Sequence, residues 1–417
     1  MVPLKGSGFV ECSSYHHGLV IKEYRERLGK TQEWLASQWY ADGSGVSVRY
    51  VKAVEAGQKL ITDQQQLRHL SEVLAVPLWK FGLSEFNPFA GQFQRQHGHS
   101  LFQETLQLVE CLIHQAWRLR YTVALPHTEQ VVQRLRALFT YCATELPSNI
   151  KQERTYIMLL AQYYQLLGVV QVERKQYRAA LQSYEQMQRA AEQIEDTPAI
   201  VLALMCQGTE LERLGQKQDA VQALELARDR SFETSKQIAV FIHAYLARVY
   251  ASSHDALRFE RAVQAARNLA SKLTTYGDGT DFLYHSLSGV MAEASYGYLD
   301  IGEPLKTLAL RPDIERQIEE DNNRWLHAWG PLDYARAYRA IGEIEASVAE
   351  ARTFFKRGLM LQSPHVVSRS VAFLQELEEA GYQTVTAVKE LHEEILETAQ
   401  TLQPELRTSI LETLRVE

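Results

Sequence analysis

Residues 166–187 read LLGVVQVERKQYRAALQSYEQM. Within them Gly168 is followed by Ala180 at +12 and Tyr184 at +16. Apolar residues recur at three- and four-residue spacing, the period of a helix with one buried face. Small residues at +0 and +12 let two antiparallel helices cross closely, and the larger one at +16 fills the next groove. The same ladder returns at Gly208, Ala220 and Leu224, and in YARAYRAIGEIEASVAEARTFF at 334–355, as Ala335, Ser347 and Ala351. A looser copy, Ala247 with Ala262 and Ala266, needs a three-residue insertion. A weaker one, Ser295 with Thr307, has Arg311 where an apolar residue belongs. Gly215, Gly302 and Gly342 fall between the two halves of their copies as turn residues. The ladder predicts stacked helical hairpins and an all-α fold.

This pattern resembles the tetratricopeptide repeat, a helix–turn–helix unit of about 34 residues. The copies here stand about 40 apart, most lack the large apolar residue of the first turn, and Met187 replaces a small residue. The resemblance implies an α-solenoid whose first helices line a concave face.

The helical pattern runs from Leu101 to the end of the chain, so 101–417 reads as the repeat domain. Breaks fall at Pro126, Pro147, Pro198, Gly215, the Gly277–Gly279 turn, Gly302, Pro312, Gly342 and Pro364, and no stretch reads as a strand. Only 22 glycines and 11 prolines in 417 residues argue against collagen, low-complexity polymer and turn-rich β-sandwiches. Hydrophobic residues at 46% and charged ones at 23% exclude disorder throughout.

Before the array, SEFNPFAGQFQRQHGHS at 84–100 reads as a linker, and 1–17 as an irregular tail. Between them, 18–83 forms a periodic unit of five short helices. Leu19–Leu28 ends at Gly29, Thr31 caps TQEWLASQ, and YADGSGV turns the chain. Ser47 caps SVRYVKAVEAG, Thr62 or Asp63 caps TDQQQLRHLSEVLAV, and PLWKFGL completes the unit.

The segments IKEYRERLGKTQEWLA (21–36), VSVRYVKAVEAG (46–57) and LRHLSEVLAVPLWKF (67–81) resemble the XRE family of lambda-repressor-like helix-turn-helix domains. Arg25, Gln32, Leu35–Ala36 and Val54–Glu55–Gly57 occupy the family's pattern positions. The turn between the second and third helices is about five residues longer than usual, because of Ala41–Gly45. The resemblance implies a transcriptional regulator that reads double-stranded DNA. With Val51 and Val54 turned inward, Val48, Arg49, Tyr50, Lys52 and Ala53 point outward from the recognition helix. Arg49 suits a guanine edge, Gln32 a phosphate, and Lys30, Lys52 and Lys59 further phosphates. Residues 1–90 carry ten basic against nine acidic residues, and the remainder 34 against 42. Any nucleic-acid binding is therefore local to the N-terminal unit.

Families that combine these two parts resemble bacterial peptide-sensing regulators, whose solenoid binds a short peptide and whose dimer sits on DNA. Helical geometry places Trp329, Leu332, Arg336 and Arg339 on one stripe of the last clear repeat. The equivalent places of earlier repeats are Gln165, Thr209, Arg248 and Tyr296. The expected ligand is a short peptide or small anion held by Arg248, Arg336 and Arg339. The competing reading pairs Arg336 and Arg339 with Glu343 or Glu345 on a solvated face. A homodimer is expected through the solenoid or the Leu101–Tyr121 helix, whose Leu101, Leu108, Leu112 and Leu119 share a face. A second reading of the whole chain is a non-enzymatic scaffold that docks partner proteins, with a vestigial helix-turn-helix.

Other signals fail. Gly29-Lys30-Thr31 ends like a phosphate-binding loop, but Tyr24 stands where its first glycine belongs. His16-His17 and His97-Gly98-His99 lack a helical partner carboxylate, so no metal is expected. No nucleophile–base–acid spacing marks an enzyme, and no cofactor is implied. Cys12, Cys111, Cys142 and Cys206 include no pair closer than 31 residues, as expected of reduced thiols in a cytoplasmic protein. The N-terminus shows no signal-peptide pattern. The most apolar stretch, Tyr156–Val172, is broken by Gln162 and Gln165, so no membrane span is expected.

Overall fold

The computed structural model describes residues 17–40, 43–83, 91–146, 148–273, 287–321 and 324–414. Within them all regular structure is helical. The chain divides into two compact units, Met1–His97 and Gly98–Glu417. The tail read at 1–17 (His17 apart), Pro147 and the Gly277–Gly279 turn lie outside the described residues.

The first unit holds α1 (His17–Arg27), α2 (Gln32–Ser37), α3 (Val48–Glu55), α4 (Gln64–Leu74) and a 3-10 turn at Leu78–Phe81. Its starts are fixed by local chemistry. The Thr31 hydroxyl accepts from the Trp34 N–H, Ser47 from Tyr50, and Asp63 from Gln65 and Gln66. Gly29, read against a phosphate loop, takes φ +61° at the end of α1. Ile21, Leu35, Trp39, Val51, Val54, Leu70 and Leu74 are wholly shielded and form the core. The long turn before α3 is tied down by the Val46 N–H, which donates to the Ala36 carbonyl at 2.9 Å. Gly45 permits that approach, since a Cβ there would lie 2.9 Å from the same oxygen.

The second unit begins within α5 (Gly91–Thr122), which starts inside the stretch read as linker. Glutamines marked that stretch as a connector, yet Gln is a good helix former. Then follow α6 (Leu125–Glu145), α7 (Ile150–Glu173), α8 (Tyr177–Gln193), α9 (Thr197–Arg213), α10 (Lys217–Arg230), α11 (Lys236–Ser252) and α12 (Ala256–Ala270). After these come α13 (Leu287–Asp300), α14 (Pro304–Asp321), α15 (Arg324–Ala340), α16 (Ile344–Leu361), α17 (Pro364–Glu379), α18 (Thr386–Thr401) and α19 (Pro404–Leu414).

From α7 to α16 the helices pack as consecutive pairs, and each pair is one copy of the ladder. The small residues sit where the helices cross. A Cβ on Gly168 would lie 2.3 Å from the Tyr184 ring, and one on Gly208 2.5 Å from Leu224. Ser347 donates to the Ala335 carbonyl at 2.8 Å, and Thr307 to that of Ser295 at 2.8 Å, so these crossings add a hydrogen bond. Arg311, the misfit of the weak copy, spans to the next pair: it lies 4.5 Å from the Tyr334 ring and 2.6 Å from Glu350.

Each hairpin turns the same way. A left-handed residue follows the crossing residue by seven: Lys175, Gly215, His254, Gly302 and Gly342. The next N–H then bonds back across the turn, as from Gln176 to Gln171 and Gln216 to Leu211, both at 2.8 Å.

The stack curls until its late helices meet its early ones. Glu173, at the end of α7, accepts from Arg120 of α5 at 2.7 Å, from the Trp325 indole of α15 at 2.9 Å, and from Ser363, the cap of α17. Arg174 pairs with Glu129 at 2.5 Å and with Glu405 of α19. Tyr177 of α8 hydrogen-bonds His365 of α17 at 2.9 Å. No helix among the described residues is long and apolar enough to cross a membrane.

Candidate functional site

In the first unit, α3 turns Val51 and Val54 into the core and leaves Arg49 and Lys52 exposed. Two of the residues expected to face outward instead anchor the helix. Val48 is half-buried against the core, and the Tyr50 ring packs edge-on to Trp39 at 5.5 Å. Ala53 is half-buried too. Lys59 and Lys30 are exposed, their ammonium groups 4.9 Å from the Tyr50 ring and 5.1 Å from the Trp34 ring.

The Gln32 side chain is engaged within the protein. Its amide donates to Glu55 at 2.7 Å. Glu55 is buried in a two-pronged pair with Arg25, at 2.6 and 3.0 Å. This network joins α1, α2 and α3, and so holds the angle between the second and third helices. The pattern residues Arg25, Gln32 and Glu55 thus form one contact that spacing alone does not reveal.

In the second unit, the inner face of the array encloses two adjoining cavities, of ≈ 130 Å³ and ≈ 400 Å³. Both are walled chiefly by the first helices of the pairs. Gln165 and Thr209 line the smaller, Tyr296 and Trp329 the larger, and Arg248 both. Five of the seven positions read for the ligand thus converge. Arg336 lies behind this wall, pairing with Asp300 at 3.0 Å, and Arg339 with Glu376 at 3.1 Å. The two guanidiniums therefore do not fork onto one carboxylate, and their partners come from neighbouring pairs rather than from Glu343 or Glu345. Arg339 also lies over Phe373, 5.5 Å from the ring centre.

Two of the cavity arginines, Arg248 and Arg213, are engaged within the protein. Arg248 pairs with Glu212 at 3.1 Å and Glu293 at 3.5 Å, and lies 4.5 Å from the Tyr296 ring, which Arg336 approaches at 5.1 Å. Arg213 donates to His365 Nε2 at 3.1 Å. Since arginine can only donate, Nε2 is the acceptor and Nδ1–H faces Tyr177. Burial, with Arg213 adding, holds His365 well below the usual histidine value, so it is neutral. Burial raises Glu293 and Glu210, opposed by Arg248 and Arg213 respectively. The Cys206 thiol is pushed up to about 12 by burial and is no nucleophile. Sequence reasoning missed Glu173, Glu293 and His365, because their partners lie on distant helices.

Cys111, Cys142 and Cys206 are unbridged. No group of His, Cys, Asp and Glu fit for a metal occurs among the described residues. The His97 and His99 side chains lie outside them. Compared with known proteins, the chain matches no family model and no curated protein.

Proposed function

We propose that the chain is a sequence-specific DNA-binding transcriptional regulator whose helical array senses a ligand and dimerises. The observation that carries this reading is the build of α3. It is an eight-residue helix capped by Ser47, clamped through Glu55, and bare of carboxylates on the face that carries Arg49 and Lys52. A helix of this kind fits the major groove, where Arg49 addresses a guanine edge and Lys52, Lys30 and Lys59 the phosphates. The ligand reading is a short peptide or small anion in the cavity walled by Arg248, Tyr296 and Trp329, within the usual size for ligand sites. A cytoplasmic place fits the unbridged thiols.

The test is selection from a pool of randomised duplexes. The full chain should enrich one half-site, and Arg49→Ala should broaden it. Enrichment of nothing over the input pool by the wild type refutes the reading.

A further inference from the structure

The larger cavity holds a carboxyl group without a hydrogen-bond or ion-pair partner. Asp333 of α15 lines it, yet accepts no hydrogen bond and makes no ion pair among the described residues. Arg336 is paired with Asp300, and Arg248 with Glu212 and Glu293, while Arg369, which also lines the cavity, makes no ion pair among the described residues. One helical turn earlier, Trp329 lines the same cavity, and its buried indole N–H has no partner among the described residues. A bare acceptor and a bare donor thus stand at i and i+4 on one face of one helix, some 5–6 Å apart at their Cβ atoms. Around them the wall is aromatic, with Tyr177, Tyr296 and Trp325.

Resting on the reading of this cavity as a ligand site, we infer that it takes a protonated primary amine with a carbonyl or carboxylate oxygen beside it, the headgroup of an α-amino acid. The ammonium meets Asp333, the oxygen meets the Trp329 indole, and the aromatic wall takes an apolar substituent. Such a headgroup satisfies both groups at once, whereas a plain anion leaves Asp333 unmatched and repelled.

Burial, opposed by Arg336, raises Asp333 from 3.8 to about 7. The charged and titratable groups that face it are Arg336 and the neutral Tyr334 on its own helix, Glu293 and Asp300 on α13, and Arg248 on α11. An arriving ammonium favours the carboxylate, so affinity should rise from pH 6 to pH 8, provided the amine stays protonated.

The test is calorimetry on the full chain with L-phenylalanine, N-acetyl-L-phenylalanine, phenethylamine and the dipeptide phenylalanyl-leucine. L-Phenylalanine or the dipeptide should bind, and whichever is tighter tells a free amino acid from a chain N-terminus. The acetylated form should bind about tenfold more weakly or worse. Asp333→Asn should remove the amine preference while raising thermal stability above pH 7, which a merely structural carboxylate would not do. Trp329→Phe, which keeps a ring, should weaken binding with the fold intact. Equal binding of free and acetylated forms overturns the inference but leaves the cavity a ligand site. Binding of no probe at millimolar concentration overturns it as well, and leaves the DNA reading to its own test.

Discussion

Arg120 of α5 and Trp325 of α15 donate to the same oxygen of Glu173, at 2.7 and 2.9 Å, while the guanidinium lies 4.6 Å from the indole ring. This contact closes the stack of hairpins. Arg120 and Glu173 are both buried, so neither charge is screened by water when its partner is lost. Glu173→Ala should cost the second unit about 3–5 kcal/mol. Urea unfolding followed by tryptophan fluorescence measures it, and a loss below 1 kcal/mol would show that the closure contributes little.

The hairpin turns make a second prediction. Lys175 and His254 hold the left-handed conformation that Gly215 holds in its own hairpin, with φ of 62°, 56° and 79°. A side chain there costs roughly 1–2 kcal/mol, which glycine avoids at an entropic cost of about 0.5–1 kcal/mol. Lys175→Gly and His254→Gly should each stabilise the array by about 0.5 kcal/mol, and Gly215→Ala should destabilise it by about 1 kcal/mol. Melting temperatures of the three variants decide it. A loss in both Gly variants would mean that the side chains contribute more than their backbone strain costs.

The pH dependence follows from His365 and Asp333. The folded state holds His365 neutral, well below its ordinary 6.5, so only the unfolded chain gains its proton readily. Its contribution is intact above pH 6.5 and is lost progressively as the pH falls below that value. Asp333 acts with the opposite sign, since its folded value of about 7 exceeds 3.8. It makes folding less favourable as the pH rises from about 4 to about 7. Melting curves from pH 5 to 8 should therefore lose part of their acid slope in His365→Asn and gain stability at the neutral end in Asp333→Asn. Parallel curves for both variants and the wild type would contradict these environments.

Assembly is the fourth prediction. In α5, Phe102, Leu106, Val109, Ile113 and Trp117 pack into the array, and Leu112 and Leu119 are half-buried against it. Leu101 and Leu108 stay exposed, at 43% and 49%. The stripe read as a dimer face is thus partly spent within the chain. Light scattering at micromolar concentration should still give a dimer, because two-fold operators need two recognition helices. A monomer with and without DNA would remove that part of the account.

Local chemistry was the readable part. The caps Thr31 and Ser47 follow from residue type and the helical period that begins after them, and of the two candidates Thr62 and Asp63 it is Asp63 that caps its helix. The small residues at +0 and +12 placed the helix crossings, because close approach leaves no room for a side chain at Gly168 or Gly208. What could not be read is partnership across distance. Nothing near Arg336 or Arg339 in sequence names Asp300 or Glu376, and nothing near Glu173 names Arg120 or Ser363. Lys175 and His254 escaped for another reason: a turn whose hydrogen bonds and neighbours fix its shape can impose a left-handed backbone on a residue that does not favour it.

The central claim is that α3 grips DNA, and the most direct measurement is the salt dependence of duplex binding by the full chain. Fluorescence anisotropy on an enriched duplex, from 50 to 300 mM salt, should give a steep linear fall of log affinity with log salt. Lys52→Ala should weaken binding to every sequence alike and flatten that slope by about one ion. Arg49→Ala should keep most of the slope and lose about 1–3 kcal/mol of preference at a single base pair. Equal affinities for the wild type and both variants across the series would contradict the account.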